Sequence, residues 1–200
     1  MAAIGTISYM KIFVELEKED IVLQFLDSLK SKIYSPFNKI TYVGNMYLSL
    51  KSGKIEDAES SILEIEELIE ELSWDIVQFY TLDGRGQISE LKGDFEQAIK
   101  YYNQVMNLYP NNEKIQFQIA QCYRKLSKPG EAKKIIEKLL SIHQFWPKLH
   151  YELSLIYNEM GKKKKALEEV KIVLGLWENA DSSYDLVINA KSLLSDLENE

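Results

Sequence analysis

The chain has 200 residues, of which 46% are hydrophobic and 28% charged, a composition typical of a globular domain and not of a disordered segment. Its 24 basic and 31 acidic residues leave a formal charge of −7, which argues against a dedicated nucleic-acid binder. The single cysteine, Cys122, excludes an intramolecular disulfide framework, and two histidines, His143 and His150, leave little for a metal centre.

The first 78 residues predict helices with irregular spacing. Apolar periodicity predicts a divergent helical pair within residues 1–36, with helices at 6–17 and 20–34. Ser35 and Pro36 then suit the N-cap and first position of a helix that runs over 36–52 and ends at Gly53. A helix over 54–72, with an acidic solvated face around an apolar line, completes a degenerate unit at 37–78.

A short pattern of a turn residue followed five positions later by alanine recurs along the chain: Gly53 and Ala58, Gly93 and Ala98, Ser127 and Ala132, Gly161 and Ala166. The last three occurrences are 34 residues apart, which divides the chain into units 79–112, 113–146 and 147–180. Glycine suits the end of the first helix because it adopts the left-handed conformation at little cost.

Within this frame, small and large residues repeat in fixed columns. Close packing of two antiparallel helices requires small side chains where the backbones meet. The eighth and twentieth positions supply them: Gly86, Ala120, Ser154, Ala98, Ala132 and Ala166. We expect the apolar residues of three further columns to be buried against the next unit. They are Tyr102, Ile136 and Val170; Val105, Leu139 and Val173; and Leu108, Ile142 and Leu176.

These units resemble tetratricopeptide repeats, most clearly from Gly93 to Asn112. The departures are Leu82 and Arg85 in the first unit and the replacement of the terminal proline by Gln144 and Glu178. The resemblance implies an all-α fold, a right-handed α-solenoid of antiparallel helix pairs. We predict one domain over 1–200 with eleven helices, the last within 181–200 and covering the end of the stack.

Catalytic signatures are absent from the sequence, so we predict no enzyme, no cofactor and no metal site. The closely spaced pair Gly84 and Gly86 lacks the third glycine and the preceding strand of a nucleotide-binding loop, and is interpreted as a helix-packing contact. Cys122 is interpreted as a buried structural thiol. The basic run 162–165 is either a solvated turn or a site for an acidic ligand or partner segment.

The first helix of each pair lines a concave groove in tetratricopeptide stacks, so the resemblance implies a set of partner-binding residues. They are Tyr80, Asp83 and Gln87; Lys114, Phe117, Gln121 and Arg124; and Lys148, Tyr151, Leu155 and Asn158. Phe117, Tyr151 and Leu155 have no evident partner within their repeats, and exposed aromatic residues of this kind anchor interfaces. Alternatively, a neighbouring helix or the C-terminal helix covers them.

One subtype of the family grips the C-terminal carboxylate of heat-shock chaperones with Lys and Asn four residues apart in the first groove helix. The corresponding pairs here are Val43 and Tyr47, Asp83 and Gln87, Phe117 and Gln121, and Tyr151 and Leu155. The clamp is therefore not predicted.

The sequence favours a non-catalytic module or scaffold that binds a peptide or protein segment in its groove. Alternatively, the chain is the regulatory or sensor part of a larger bacterial signalling or transcription-regulating protein, because residues 174–181 resemble the closing segment of bacterial repeat arrays. Self-association is a third possibility. Without a long apolar run or a basic leader, we expect a cytoplasmic location and neither a membrane nor a nucleic-acid partner.

Overall fold

The computed structural model describes residues 19–30, 41–72, 75–177 and 185–199. Within these ranges every regular element is an α-helix, so the all-α prediction is confirmed. The helices are α1 (Glu19–Lys30), α2 (Thr41–Lys51), α3 (Ile55–Leu72), α4 (Asp75–Leu91), α5 (Phe95–Leu108), α6 (Glu113–Lys125), α7 (Pro129–Leu140), α8 (Pro147–Glu159), α9 (Lys163–Leu176) and α10 (Asp185–Asn199). The predicted helix over 6–17 and the cap at Ser35 and Pro36 lie outside the described residues.

The helices group into two compact units, Met1–Pro110 and Asn111–Glu200. Unit 1 holds α1 to α5 and unit 2 holds α6 to α10. Among the described residues, each unit contains two helix pairs and one further helix. The single domain over 1–200 stays a prediction, and each unit is described by itself.

In the described part of unit 1, an apolar core joins α1, α2, α3 and α4. Helix α2 packs on α3, and α4 packs on α5. The contact of α3 with α4 joins these two pairs, and α1 packs on α2. Val22 of α1, Met46 of α2 and Ile62 of α3 are each at most 1% exposed. Large apolar side chains at helical spacing therefore assemble this unit, although its spacing departs from the regular frame.

Unit 2 repeats the same arrangement with α6/α7 and α8/α9, and α10 packs on α9. Its core joins Ile136 of α7, Ile156 of α8 and Val170 of α9, which are fully buried. From α10, Ala190 and Leu197 enter the same core. An apolar stripe on this last helix covers the core of the preceding pair, as predicted for the chain's end.

The four predicted turn residues adopt the left-handed conformation, with φ between 56° at Ser127 and 76° at Gly93. Each turn closes with the same pair of backbone hydrogen bonds. Between α6 and α7, the N–H of Ser127 donates to the carbonyl of Arg124 and the N–H of Lys128 to that of Tyr123, both at 2.9 Å. This is the Schellman geometry, which satisfies carbonyls at the end of the first helix and reverses the chain into the second.

The small residues of the frame lie where paired helices meet. Ala98, Ala120, Ala132, Ser154 and Ala166 are fully buried. A Cβ atom added at Gly86 would lie only 2.7 Å from Cζ and 2.8 Å from Cδ1 of Tyr102, which is too close for two carbon atoms. The helix-packing interpretation of the closely spaced glycines is therefore confirmed.

The predicted burial of the thirtieth repeat position is wrong. Its three residues, Leu108, Ile142 and Leu176, are 40%, 60% and 38% exposed, whereas we expected burial. Leu108 and Leu176 are the last residues of their helices, and Ile142 lies beyond the end of α7. A residue at the end of a helix has passed the zone where neighbouring helices pack, so periodicity alone overstates its burial.

Arg85, which departs from the family pattern, has a defined structural role. Its guanidinium donates three hydrogen bonds of 2.7–3.0 Å to the carboxylate of Glu66. Burial alone would lower the pKa of Arg85, but the hydrogen bond and charge of Glu66 outweigh it and raise the pKa. The pair ties α4 to α3 through bidentate recognition in place of an apolar contact.

Candidate protein-binding face

In unit 1, the predicted groove residues of α4 belong mainly to the core. Tyr80 is 5% exposed and meets Tyr47 edge to face with ring centroids 6.4 Å apart. Asp83 is fully buried, and its carboxylate accepts a hydrogen bond of 2.7 Å from the hydroxyl of Tyr47. Gln87 is half-buried and donates to the same carboxylate at 3.0 Å. These residues connect α4 to α2 and leave little surface for a partner.

In unit 2, the first helices of the two pairs, α6 and α8, present a common face. We define the α6–α8 face by Phe117, Gln121, Tyr151 and Leu155, all of which are half-buried. They lie at matching positions of consecutive repeats, and α6 is in contact with α8. Unit 2 therefore offers a mixed aromatic, aliphatic and amide surface at the positions that the resemblance indicated.

Phe117 is not without a partner, contrary to expectation. Its ring stacks on Trp146 with centroids 6.2 Å apart and an interplanar angle of 27°. Trp146 is the N-cap of α8, so the stack joins α6 to the start of the next pair. Phe117, Tyr151 and Leu155 also pack against the core of unit 2. Each side chain therefore has one buried side and one accessible side.

An ion-pair network links α6 and α8. The Nε of Arg124 donates to Glu152 Oε1 at 2.6 Å, and its Nη1 donates to Glu159 Oε1 at 2.8 Å. The side chains of Arg124 and Glu152 are only 11% and 2% exposed. Burial lowers the pKa of Arg124, but its hydrogen bonds and the charges of both glutamates outweigh this effect and raise the pKa. The network holds two adjacent first helices in register.

The phenol of Tyr151 is affected by this network. Burial is the largest influence and raises its pKa, the charge of Arg124 opposes it, and that of Glu152 reinforces it. Tyr151 therefore stays a neutral hydrogen-bond donor near neutral pH.

The remaining predicted residues lie at the ends of α6 and α8. Lys148 and Asn158 are exposed at the start and near the end of α8, and Lys114 is half-buried at the start of α6. Arg124 is committed to the two glutamates. Among the predicted residues of this unit, the exposed cation is Lys148.

Sequence reasoning missed several residues around this face. Glu152 was not singled out, although a glutamate at the sixth position can reach the arginine at the twelfth position of the preceding repeat. Phe145, 72% exposed, precedes Trp146 in the connection between α7 and α8. Its signal was a Phe-Trp pair beside Pro147, an aromatic cluster at the start of a helix.

The cysteine and the two histidines considered for chemistry lie in unit 2. Cys122 is fully buried in α6, as predicted. His143 pairs with Glu113 at 2.7 Å, and His150 lies 2.7 Å from Glu169 through Nδ1. Among the described residues no group of three or more His, Cys, Asp or Glu could hold a metal ion. Nor is any helix in the described ranges long and apolar enough to cross a membrane.

Comparison with known proteins supports the repeat architecture. Residues 91–154 match the sequence model of the tetratricopeptide repeat family, which confirms the predicted resemblance over this stretch. A search of curated protein sequences returns no match to the chain.

Solved structures have the same fold, among them those of two tetratricopeptide repeat proteins. The thermophilic protein TTC0263 of Thermus thermophilus is 17% identical, with a TM-score of 0.69 over 96% of this chain and 99% of its own. The Cut9–Hcn1 tetramer of APC/C matches with a TM-score of 0.77 and 14% identity, over 95% of this chain and 35% of that one. The first such domain of Spaghetti (RPAP3), bound to an HSP90 peptide, matches at 0.51 and 19% identity over 61% of this chain and 91% of its own. The chain is therefore a helix-pair repeat protein of the tetratricopeptide type in fold.

Proposed function

We propose that this chain is a non-catalytic protein–protein interaction module and that a peptide or protein segment binds on the α6–α8 face. The observation that carries the proposal is the four half-buried side chains of Phe117, Gln121, Tyr151 and Leu155 on adjacent helices. Aromatic and aliphatic side chains with one accessible side supply contact area, and amides fix the direction of a bound segment.

The face is held in place before a partner arrives. Arg124 bridges α6 and α8 through Glu152 and Glu159, and the Phe117–Trp146 stack fixes the other end of α6. Because these side chains are already ordered, binding loses little conformational entropy on the receptor side. A preformed face favours recognition of an extended or helical segment that orders on contact.

Solved relatives support the class of partner. A domain of the same fold from Spaghetti (RPAP3) binds an HSP90 peptide, which supports a peptide partner here. The pairs that would form a carboxylate clamp read Phe117 and Gln121, and Tyr151 and Leu155, so we propose a partner other than a chaperone tail.

The site residues of the proposal follow the geometry of unit 2. Phe117, Gln121, Tyr151 and Leu155 contact the segment, Lys148 and Asn158 lie at its ends, and Arg124 positions the two helices. Nucleic acid, a membrane surface and catalysis form no part of the proposed function, and a cytoplasmic location stays a prediction.

Selection of binding peptides from a displayed library on the intact chain tests the proposal. The recovered peptides are then titrated against Leu155→Gln, which places an amide at the centre of the face. We expect this variant to weaken binding by about tenfold or more, because interface anchors typically contribute at least about 1–2 kcal/mol.

The matched control is Leu167→Gln, since Leu167 is also a half-buried leucine of unit 2 but lies on the second helix of its pair. The melting temperature of each variant reports whether the fold is retained. Equal loss of binding in both variants, or unchanged binding by Leu155→Gln, contradicts the α6–α8 face as the site.

A further inference from the structure

The turns that follow α6 and α8 lie at the same edge of unit 2. Arg124, next to last in α6, donates to Glu159, the last residue of α8, at 2.8 Å. The segments 126–128 and 160–162 follow the ends of these two helices. The two turns are therefore neighbours, although 34 positions separate them in the sequence.

Five lysines gather at these turns and form what we name the lysine edge: Lys125, Lys128, Lys162, Lys163 and Lys164. Lys163 is half-buried and the other four are exposed. In the ranges that the structure describes, no carboxylate forms an ion pair with any of them. This distinguishes them from Lys133, Lys134 and Lys171, each of which is paired within unit 2.

Three of the carboxylates near these turns are paired with other cations or with histidine. Glu159 is bound by Arg124, Glu131 by Lys134 at 3.2 Å, and Glu169 lies 2.7 Å from His150. Glu168 is the other carboxylate in the first two turns of α9. The lysine edge therefore keeps a local excess of positive charge that unit 2 does not neutralise.

The helices that begin at this edge also lack acidic or amide caps. The N-caps of α7 and α9 are Lys128 and Lys162, with no side-chain cap hydrogen bond. By contrast, Asp94 and Asn112 cap α5 and α6 through hydrogen bonds from the backbone N–H groups of Gln97 and Ile115. The lysine charges and the positive ends of the two helix dipoles repel each other. A carboxylate that binds here is therefore attracted by both the lysines and the helix N-termini.

From this arrangement we propose that the lysine edge is a second docking surface, which binds an acidic segment of a partner protein in extended conformation. Contacting helices lie about 8–10 Å apart, so neighbouring turns have a similar spacing. An extended chain in the polyproline II conformation advances about 3.1 Å per residue and completes a helical turn in three residues, so side chains three positions apart point the same way. A segment with acidic residues at every third position therefore presents one carboxylate to each turn.

The surroundings favour a peptide over RNA or a membrane. Of the tyrosines that precede the two turns, Tyr157 is 6% exposed beneath Lys165 and only Tyr123 is partly accessible, so these two do not form a row of open rings on which successive bases stack. Single-stranded nucleic acids require such aromatic platforms. The described exposed large apolar residues lie outside 125–131 and 159–168, so the edge has no group to insert between lipids.

Binding of a fluorescein-labelled Glu-Ser-Ser-Glu-Ser-Ser-Glu peptide to the intact chain at about 50 mM salt tests the proposal. The decisive variant is Lys128→Asp/Lys162→Asp, which removes two cations and supplies both helices with preferred N-caps. We expect peptide affinity to fall by about tenfold or more while the melting temperature is retained or raised. Loss of affinity therefore cannot be attributed to unfolding.

The matched control, Lys138→Asp/Lys191→Asp, makes the same charge change at two exposed lysines of unit 2 elsewhere on α7 and α10. It should bind the peptide within about twofold of the unaltered chain. Equal affinity for the Gln-Ser-Ser-Gln-Ser-Ser-Gln peptide, or equal losses in both double variants, overturns the proposal. It is also overturned by tighter binding of an oligouridylate or of phosphatidylserine vesicles, or by salt-dependent self-association that the Lys128→Asp/Lys162→Asp change abolishes.

Discussion

At the scale of single residues, one backbone conformation recurs where paired helices meet. Gly53, Gly93 and Gly161 adopt it with φ of 69–76°, and Ser127 adopts it with φ of 56°. Left-handed backbone costs an ordinary L-residue about 1–2 kcal/mol and glycine little. In unit 2 the turn at Ser127 is therefore strained and the turn at Gly161 relaxed, although both have the same hydrogen bonds.

Replacement Ser127→Gly should stabilise the chain by about 0.5–1 kcal/mol, because relief of strain exceeds the added freedom of the unfolded chain. The free energy of unfolding from urea titration measures this gain. The reciprocal change Gly161→Ser should lower stability by a similar amount, since no atom lies within 4 Å of an added Cβ there and only backbone strain is introduced. A stability loss from Ser127→Gly contradicts this explanation.

Residue identity predicted these turns well because backbone conformation at a helix end is a local property. It predicted the binding residues less well. Tyr80 and Asp83 share the repeat positions of Lys114 and Phe117, yet they are buried beside Tyr47. Whether a side chain faces solvent depends on the residues of the neighbouring helices, which a position within one repeat does not specify.

At the scale of helices, packing depends on the small residues of the first helix in each pair. Gly86 of α4 lies against the fully buried ring of Tyr102 of α5, which also hydrogen-bonds Glu90. Gly84, two residues earlier, faces Met46 of α2 and Ile62 of α3. Helix α4 thus contacts neighbours on two sides through its glycines. The rigid ring of Tyr102 lies opposite Gly86, whereas the flexible side chain of Met46 lies opposite Gly84.

Replacement Gly86→Ala should destabilise unit 1 by about 1–3 kcal/mol, because a rigid aromatic ring without free space must move. Gly84→Ala is the matched control. An added Cβ there would clash with Met46 Sδ and lie 3.2 Å from Met46 Cε and from Ile62 Cδ1, but the unbranched methionine side chain can adjust, unlike the Tyr102 ring. The helix propensity gained, up to about 1 kcal/mol, offsets part of its cost. Equal losses in urea unfolding contradict the role of the Tyr102 ring.

Helix bounds followed the predicted pattern closely where glycine or proline marks an end. The predicted helix over 54–72 is observed as Ile55–Leu72, and Pro147 begins α8. Of the helix predicted over 36–52, the structure describes the part from Thr41 onward, because residues 31–40 lie outside the described ranges. Caps and turn residues act within a few positions, so these bounds were predictable without tertiary structure.

At the scale of the whole molecule, two stretches of the chain differ in charge. Residues 1–78 carry 7 lysines and 14 acidic residues, whereas 113–174 carry 13 basic and 7 acidic residues. Unit 2 also contains two tyrosines whose phenols have a raised pKa, Tyr151 and Tyr157. Burial is the largest cause of the raised pKa of Tyr151 and of Tyr157.

Stability should fall as pH rises above about 10. The unfolded chain ionises a tyrosine near its ordinary pKa of about 10, whereas the folded chain holds both phenols neutral to higher pH. Their contribution is therefore complete below about pH 10 and is lost as pH rises through the folded pKa. Urea midpoints at about pH 8, 10 and 11 measure the decline, and Tyr151→Phe/Tyr157→Phe should reduce it. An unchanged decline in that variant contradicts the assignment.

The sequence by itself determined the helices, their turns and the 34-residue frame, because periodicity, capping and left-handed turn residues act over short distances. Only the tertiary structure decided the Arg124 network, the Phe117–Trp146 stack, the burial of Asp83 and the exposure of the thirtieth column. Each of these depends on which side chains from other helices come into contact. The net charge of −7 did not predict the lysine edge. A net charge is a sum over all residues, whereas the lysine edge depends on which charged residues folding brings close together.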